Sequence, residues 1–481
     1  MLTPRRNSIK ATCSRLFSNR DLAVLFFPLI IEQTLKYSLG LVDSMMVAGV
    51  GEAAVSGVSL VDFILSFITS LFAALLVGGS AVVSQYIGAE EPLKANHVAN
   101  QLILLTGIFS LFLCVIVYAG KPFILNCLFG TLSLDVSAHA NIYLNITVSS
   151  IPFLALYSAG ANLFRCMDNT KLPMKIMFVC QLLNIFGNSI FIFCFDMGTA
   201  GVALSTLLSR IVSAVWILCL LCDRKRELHL FRQFSLRIDR KIAHRILSIA
   251  IPCGIENGTF FLGRILVLGM VASLGTAAIA SNAVAGVLSN LQVIPGMAIT
   301  FGTTVVIGRC VGAGDFEQVK YYNRKIITIV YSFQFITCIF ICVLLPTILY
   351  IYELPLETTL LVKQIMWIHT LFTILIWPLA YILPATFRAM GNARYPMIVC
   401  FTSLMVGRFF CSWLLGIYLQ IGITGIWLGM FMDWCIKALC FMIYYYKGKW
   451  AFFGIGQSSA RVNPILKSKL HYKFRHEIFA K

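Results

Sequence analysis

Ten ionisable residues interrupt the apolar segments of this chain: Glu32, Lys36, Asp43, Asp62, Arg210, Glu256, Arg264, Arg408, Asp433 and Lys437. At mid-bilayer each would cost at least ~2.5–3.5 kcal/mol on insertion scales, so each needs a partner or a task. Glu32 and Lys36, at i, i+4, can neutralise each other along one helix face. Asp43 lies about three turns beyond Glu32 on a similar face, with no basic residue three or four positions away. A lone carboxylate of that kind tends to take up a proton or a metal ion, Na⁺ among them. Asn184 and Asn188, also i, i+4, and Thr206 offer neutral oxygens that could complete a small site. The other reading of each is an interhelical hydrogen bond. Asp433 and Lys437 read as a structural i, i+4 pair near the basic end of the last helix. Arg210 and Arg408 read as buried partners of carboxylates or backbone carbonyls.

The elements that must position these groups follow from composition. The 481 residues are 59% hydrophobic and 12% charged, with mean hydropathy +0.86. Soluble domains carry about twice that charged fraction. Twelve apolar runs recur between residues 22 and 447, six in each half, and the bilayer forces each to be a helix. Their expected bounds include 136–164 for the fourth and 360–386 for the tenth. The net charge of +18 is distributed by topology. Five Lys and Arg precede residue 21, eight lie in 222–245 and eight in the tail from 447. The odd-numbered connections hold only Lys121 and Lys363. This is the positive-inside pattern of a multi-pass plasma-membrane (inner-membrane) protein with both termini cytoplasmic. It explains the charge by orientation and adhesion to anionic lipid and leaves no call for nucleic acid. No removable signal peptide is expected.

The chain also repeats itself. FPLIIEQT (27–34), VAGVGEAA (47–54) and GGSAVVSQYIGA (78–89) return as IPCGIENG, VASLGTAA and GTTVVIGRCVGA, all 224 residues later. FRCMDNTKLPM (164–174) returns as FRAMGNARYPM after 223. Six helices per repeat give two lobes of like orientation, related by an axis along the membrane normal, as in alternating-access transporters. The expected fold is an all-α polytopic membrane protein of twelve transmembrane helices in two pseudo-symmetric six-helix lobes. The expected units are a cytoplasmic segment 1–20, a first lobe 21–222, a basic linker 223–245, a second lobe 246–447 and a basic tail 448–481. Glycines at the helix ends, Gly49, Gly51, Gly88, Gly275 and Gly312, read as tight turns at positive φ. Pro28, Pro152, Pro252, Pro295 and Pro378 fall inside expected helices and invite kinks. Pro28 and Pro252 recur at one repeat position and are the hinge candidates. Glu32 and Glu256 recur four residues later. They either line a shared cleft from opposite walls or merely ion-pair, with Lys36 and Arg264 respectively. Asp43 breaks the repeat, with Val267 as its equivalent.

Among rivals, an enzyme would need clustered His, Cys, Ser or metal ligands. The seven histidines form no HExxH-type pair, and Cys219 and Cys222 read as packing residues. No cofactor is expected.

These residues resemble those of the multidrug and toxic compound extrusion (MATE) transporters. The likeness covers nearly all of 22–450. It is carried by PLIIEQTLKYSLGLVDSMMVAGVG, GGSAVVSQYIGA and LFRCMDNTKLPM, and by GTTVVIGRCVGAGD, ATFRAMGNARYPM and GITGIWLGMFMDW in the second half. The resemblance implies a V-shaped cleft between the lobes. It also implies export of organic cations or other amphipathic small molecules against inward H⁺ or Na⁺. It assigns the coupling cation to Asp43, in Val42-Asp43-Ser44, and maps family positions onto Tyr143, Asn184, Asn188 and Thr206. Some members carry Asp where Asn188 stands, so this site has one carboxylate fewer. Members with a second-lobe Na⁺ site pair an acid of the seventh helix with one of the tenth; no acid lies between Lys363 and Arg388 here, so Glu256 would act there without that partner. Lys36 and Arg264 join Glu32 and Glu256 as expected cavity residues, and a monomer is expected. A lipid-linked precursor flippase of the same superfamily is the alternative, with Lys36, Arg210 and Arg264 as its basic residues.

Overall fold

A computed structural model describes residues 15–125, 133–230, 237–448 and 450. Most of the expected N-terminal segment and tail, and 231–236 of the linker, lie outside the described residues. The described chain forms fourteen α-helices and no strand. The first half contributes α1 (Asn19–Ala48), α2 (Glu52–Gly88), α3 (Pro92–Phe123), α4 (Leu134–Ser149), α5 (Ile151–Cys166), α6 (Lys171–Ser189) and α7 (Gly198–Leu221). The second contributes α8 (Arg240–Ala272), α9 (Thr276–Gly312), α10 (Phe316–Ile351), α11 (Leu356–Leu375), α12 (Trp377–Ala389), α13 (Arg394–Ser403) and α14 (Ile423–Tyr446). Among the described residues eleven spans are long and apolar enough to cross a bilayer, and the bent pair α4–α5 makes a twelfth.

Two expected spans are broken. The span expected at 136–164 bends by 45° between α4 and α5. The span expected at 360–386 breaks at Ile376. Pro152 and Pro378 therefore stand in the first turn of a new helix, not inside one. There the missing N–H has no helical partner to lose. Beyond α6 and α13 the chain widens into π-helical turns, at Ile190–Cys194 and at Leu404–Cys411 and Leu414–Tyr418. The glycines also divide by cause. Gly51 and Gly275 take φ of 140° and 95° and open α2 and α9. Gly88 and Gly312 are helical. A Cβ on Gly88 would fall 2.1 Å from the Arg309 carbonyl oxygen, and one on Gly312 1.9 Å from that of Gln85. Close approach of α2 to α9, not a turn, requires them.

The repeat organises the core. The first half of α1 (Leu22, Leu25, Phe26, Leu29) is buried in the second lobe, against residues such as Ile299 and Val306. The first half of α8 (Ile246, Ile249, Ala250, Cys253) is buried in the first lobe. Each helix then crosses to its own lobe, and Pro28 and Pro252 stand at the crossings, inside the helices as expected. Pro28 cannot bond the carbonyl of Val24 four residues back. Thr170, after α5, donates its hydroxyl to that carbonyl at 2.9 Å instead.

The same end of the molecule carries a paired seam. Gln85 of α2 donates to the Ala389 carbonyl at 2.6 Å, and Arg309 of α9 donates to the Cys166 carbonyl. Gln85 and Arg309 are repeat equivalents, as are Cys166 and Ala389. Each lobe thus caps the exposed carbonyls at a helix C-terminus of the other.

Candidate functional site

A polar cluster lies within the first lobe. Spacing of four residues aligns Asn184 with Asn188 on α6, and Thr206 with Arg210 on α7. Asn188 donates its amide to Asp43 Oδ1 at 2.7 Å and to Asn184 Oδ1 at 3.3 Å. Asn184 donates in turn to Thr206 Oγ1 at 3.2 Å. The three neutral residues are buried and Asp43 is half-buried. The Asn188 carbonyl oxygen is buried without a hydrogen-bond partner, an acceptor able to receive a cation. Asp43, Asn184, Asn188 and Thr206 are therefore one continuous chain of contacts.

Tyr143 is beside that chain, not in it. Its hydroxyl donates to Asp62 Oδ1 at 3.1 Å. Asp62, on α2, is half-buried and within electrostatic reach of Asp43. Arg210 donates to Ser150 Oγ at 2.6 Å and lies within electrostatic reach of both carboxylates. With all three ionised the cluster carries one net negative charge, which one monovalent cation neutralises. Asp62 is the residue that sequence reasoning recognised as embedded but did not place. Its signal was its charge; its position beside Asp43 depends on how α1 and α2 pack.

The duplicated acids behave differently from expectation. Glu32 is fully enclosed, and its main partner is Arg165 at 2.6 Å, with Lys36 Nζ at 3.6 Å. It does not line an open cleft; Lys36, with 40% of its side chain exposed, is the open member. Glu256 pairs with Arg388 at 2.8 Å, not with Arg264, and accepts from Cys400 Sγ at 3.2 Å. Arg165 and Arg388 are equivalent positions in the FRCMDNTKLPM and FRAMGNARYPM repeats. Each closes a helix C-terminus and turns inward to the duplicated acid. The shared FR was the available signal. Asp433 and Lys437 do pair, at 2.9 Å, but both are buried at mid-helix of α14, not near its basic end.

Two repeat-related six-helix lobes with charges held inside define a polytopic membrane transporter. The MatE family model matches residues 28–190 and again 252–414, one match per lobe at the same offset of 224, and the chain belongs to this family. Members are transporters, not enzymes. The chain is 25% identical to the probable multidrug resistance protein NorM of Thermotoga maritima, over 90% of this chain and 93% of that one. It is 25% identical to the probable multidrug resistance protein YoeA of Bacillus subtilis, over 89% and 93%. Its fold matches the MATE transporter VcmN of Vibrio cholerae with TM-score 0.83, at 20% identity over 90% of this chain and 98% of that one. It matches a MOP superfamily transporter from Pyrococcus furiosus with TM-score 0.82, at 20% identity over 88% and 94%.

Proposed function

We propose that this protein is a multidrug exporter of the plasma membrane, a monomer with both termini in the cytoplasm. It exchanges organic cations or other amphipathic compounds for a cation taken up at Asp43, by alternating access of the cleft between the lobes. The names of the NorM and YoeA relatives support the substrate class. The observation that carries the coupling role is the hydrogen-bonded chain from Asp43 through Asn188 and Asn184 to Thr206. It links α1 to α6 and α7 through an acid that the second lobe lacks. A cation arriving at Asp43 competes with the Asn188 amide, frees that link and lets α1 shift above Pro28. Uptake and substrate retention then exclude each other because both depend on the position of α1.

The contacts favour a proton as this cation. Asp43 faces the Asn188 amide N–H, so Na⁺ would need that amide turned to present its unpaired oxygen. Arg210, within electrostatic reach of both Asp43 and Asp62, already provides one fixed positive charge. Efflux of ethidium from proteoliposomes under imposed ΔpH, and separately under ΔpNa, tests the reading. Drive by ΔpH and its loss in folded Asp43→Asn are expected. Drive by ΔpNa alone would reassign the ion, and unchanged ion-driven efflux in Asp43→Asn would sink the coupling role.

A further inference from the structure

The second lobe holds more positive charge than its acids can neutralise. Arg388 is matched by Glu256. Asp433 is matched by Lys437 at 2.9 Å, and Lys437 also lies over the Tyr381 ring at 5.8 Å. Arg264 and Arg408 remain.

Arg408 sits in the π-helical turn Leu404–Cys411 and is only 6% exposed. It makes no hydrogen bond among the described residues. Its Nε is buried without an acceptor and stands 3.9 Å from Asp433, beyond hydrogen-bonding distance. Its guanidinium lies over the Phe260 ring at 5.1 Å. Arg264 is on α8 four residues beyond Phe260, so the two share a helix face. Arg264 is exposed and has no ion pair or hydrogen bond among the described residues. The two guanidiniums lie within electrostatic reach of each other, and Tyr37 of the opposite lobe is within reach of Arg264. A buried guanidinium with a second positive charge in reach is costly unless an anion joins them. Arginine forks match carboxylate and phosphate oxygens.

Aromatic rings adjoin this pair. Phe260 meets Phe261 edge-on at 6.3 Å between centroids. Phe261 meets Phe63 and Phe67 of the first lobe at 5.9 and 5.5 Å. The apolar surface is therefore continuous from Arg408 across the interface between the lobes.

We propose that Arg264 and Arg408 receive the anionic group, a carboxylate or phosphate, of an amphipathic substrate whose apolar body lies on Phe260, Phe261, Phe63 and Phe67. This names a substrate class for the cleft and rests on the efflux reading for its use. Zwitterions fit as well as anions, their cationic end projecting from the arginines toward the first lobe. Arg408 is the buried, fixed member of the pair and Arg264 the exposed one that meets the anion as it enters.

Binding to the full chain in nanodiscs tests it without any ion gradient, using 1-pyrenebutyrate and 1-pyrenemethylammonium, which share one apolar body. Wild-type protein is expected to bind the carboxylate. Arg264→Gln is expected to weaken that binding at least about tenfold, the loss of a charge-assisted hydrogen bond. Arg264→Lys is expected to restore part of it. Binding of the ammonium probe is expected to stay the same or tighten. Arg264 is exposed, so its replacement spares the fold; Arg408→Gln is read only where its melting temperature matches wild type, with the same loss expected. Competition by phosphatidic acid in the nanodisc would identify a lipid headgroup as the anion, and competition by free butyl phosphate a soluble one; either supports the site. Equal carboxylate binding by wild type and Arg264→Gln, or binding of the ammonium alone, overturns it. Absence of ion-driven efflux of both probes, with Arg264-dependent binding intact, would instead count against the exporter reading.

Discussion

Glu32 and Arg165 show how much a single enclosed pair is asked to carry. Both side chains are almost wholly removed from solvent, and Glu32 Oε2 has no hydrogen bond of its own. Removing one partner of such a pair strands the other charge, which costs about 3–5 kcal/mol. Arg165→Met is therefore expected to lower the melting temperature in detergent sharply. Adding Glu32→Gln to it should recover much of the loss, because the one charge then left without its partner, Lys36, has 40% of its side chain exposed. The equivalent pair Glu256–Arg388 keeps about 15% exposure on each side, so Arg388→Met should cost less. Equal losses in the two lobes would show that burial does not set the cost. The sequence made the acids legible through their repeat and their charge, since nothing else explains a glutamate in an apolar helix. It hid their partners, because Arg165 and Arg388 sit where a helix ends and basic loops begin. Only the inward turn of the last residues of α5 and α12 distinguishes them from topology-setting cations. Asp62 was hidden for a related reason: its charge is evident, but its nearness to Asp43 arises from the packing of two helices.

At the scale of the element, α1 and α8 each begin in one lobe and finish in the other. A proline at the crossing removes one hydrogen bond where the helix changes neighbours. The halves differ in how that loss is met. Thr170 bonds the freed Val24 carbonyl, whereas its repeat equivalent is Ala393, which has no hydroxyl. Thr170→Val should leave a partly buried carbonyl unpaired, at the low end of the ~1–3 kcal/mol that a fully buried one costs, read as a fall in melting temperature. Pro28→Ala restores the N–H and should reduce ion-driven efflux while the melting temperature holds or rises. Full efflux by a stable Pro28→Ala protein would show that α1 does not bend there in use. Helix number and the position of these two prolines follow from hydropathy and the repeat, since both are properties of one segment. The breaks at Ser150 and Ile376 do not. A proline in an apolar run reads the same whether it kinks a helix or starts another, and neighbouring helices decide which.

For the whole molecule, the two lobes meet at the end of α2 and α9 that the lysine and arginine distribution assigns to the cytoplasm. The seam is nearly symmetric, with Gln85 and Arg309 each reaching a carbonyl of the other lobe. Its exception is Asp168, which pairs with Arg309 at 2.7 Å and stands where the second lobe has Gly391. Both residues take positive φ, 59° and 91°, so the aspartate holds a backbone conformation that glycine adopts more easily. Burial pushes the Asp168 carboxyl up to about 6, against the opposing pull of Arg309. The sign of the linkage follows. With the lobes apart and the carboxyl in water its value returns to about 3.9, so the closed seam binds the proton more tightly. Its contribution to closure is then full below about pH 4 and is lost as pH rises through about 6. At neutral pH the charged aspartate opposes closure, and Arg309 limits that penalty. Arg309→Gln should therefore open this end, because it removes both the compensating charge and the bond to Cys166. Asp168→Asn should close it further at pH 7.5 and remove the pH dependence between about 4 and 6. The distance between spin labels at Lys94 and Glu317, exposed residues on the two lobes, measures both effects in a background free of other reactive cysteines. A longer distance in Asp168→Asn at pH 7.5 would mean that the ion pair itself holds the seam, and that attraction to Arg309 outweighs the cost of burying the carboxylate.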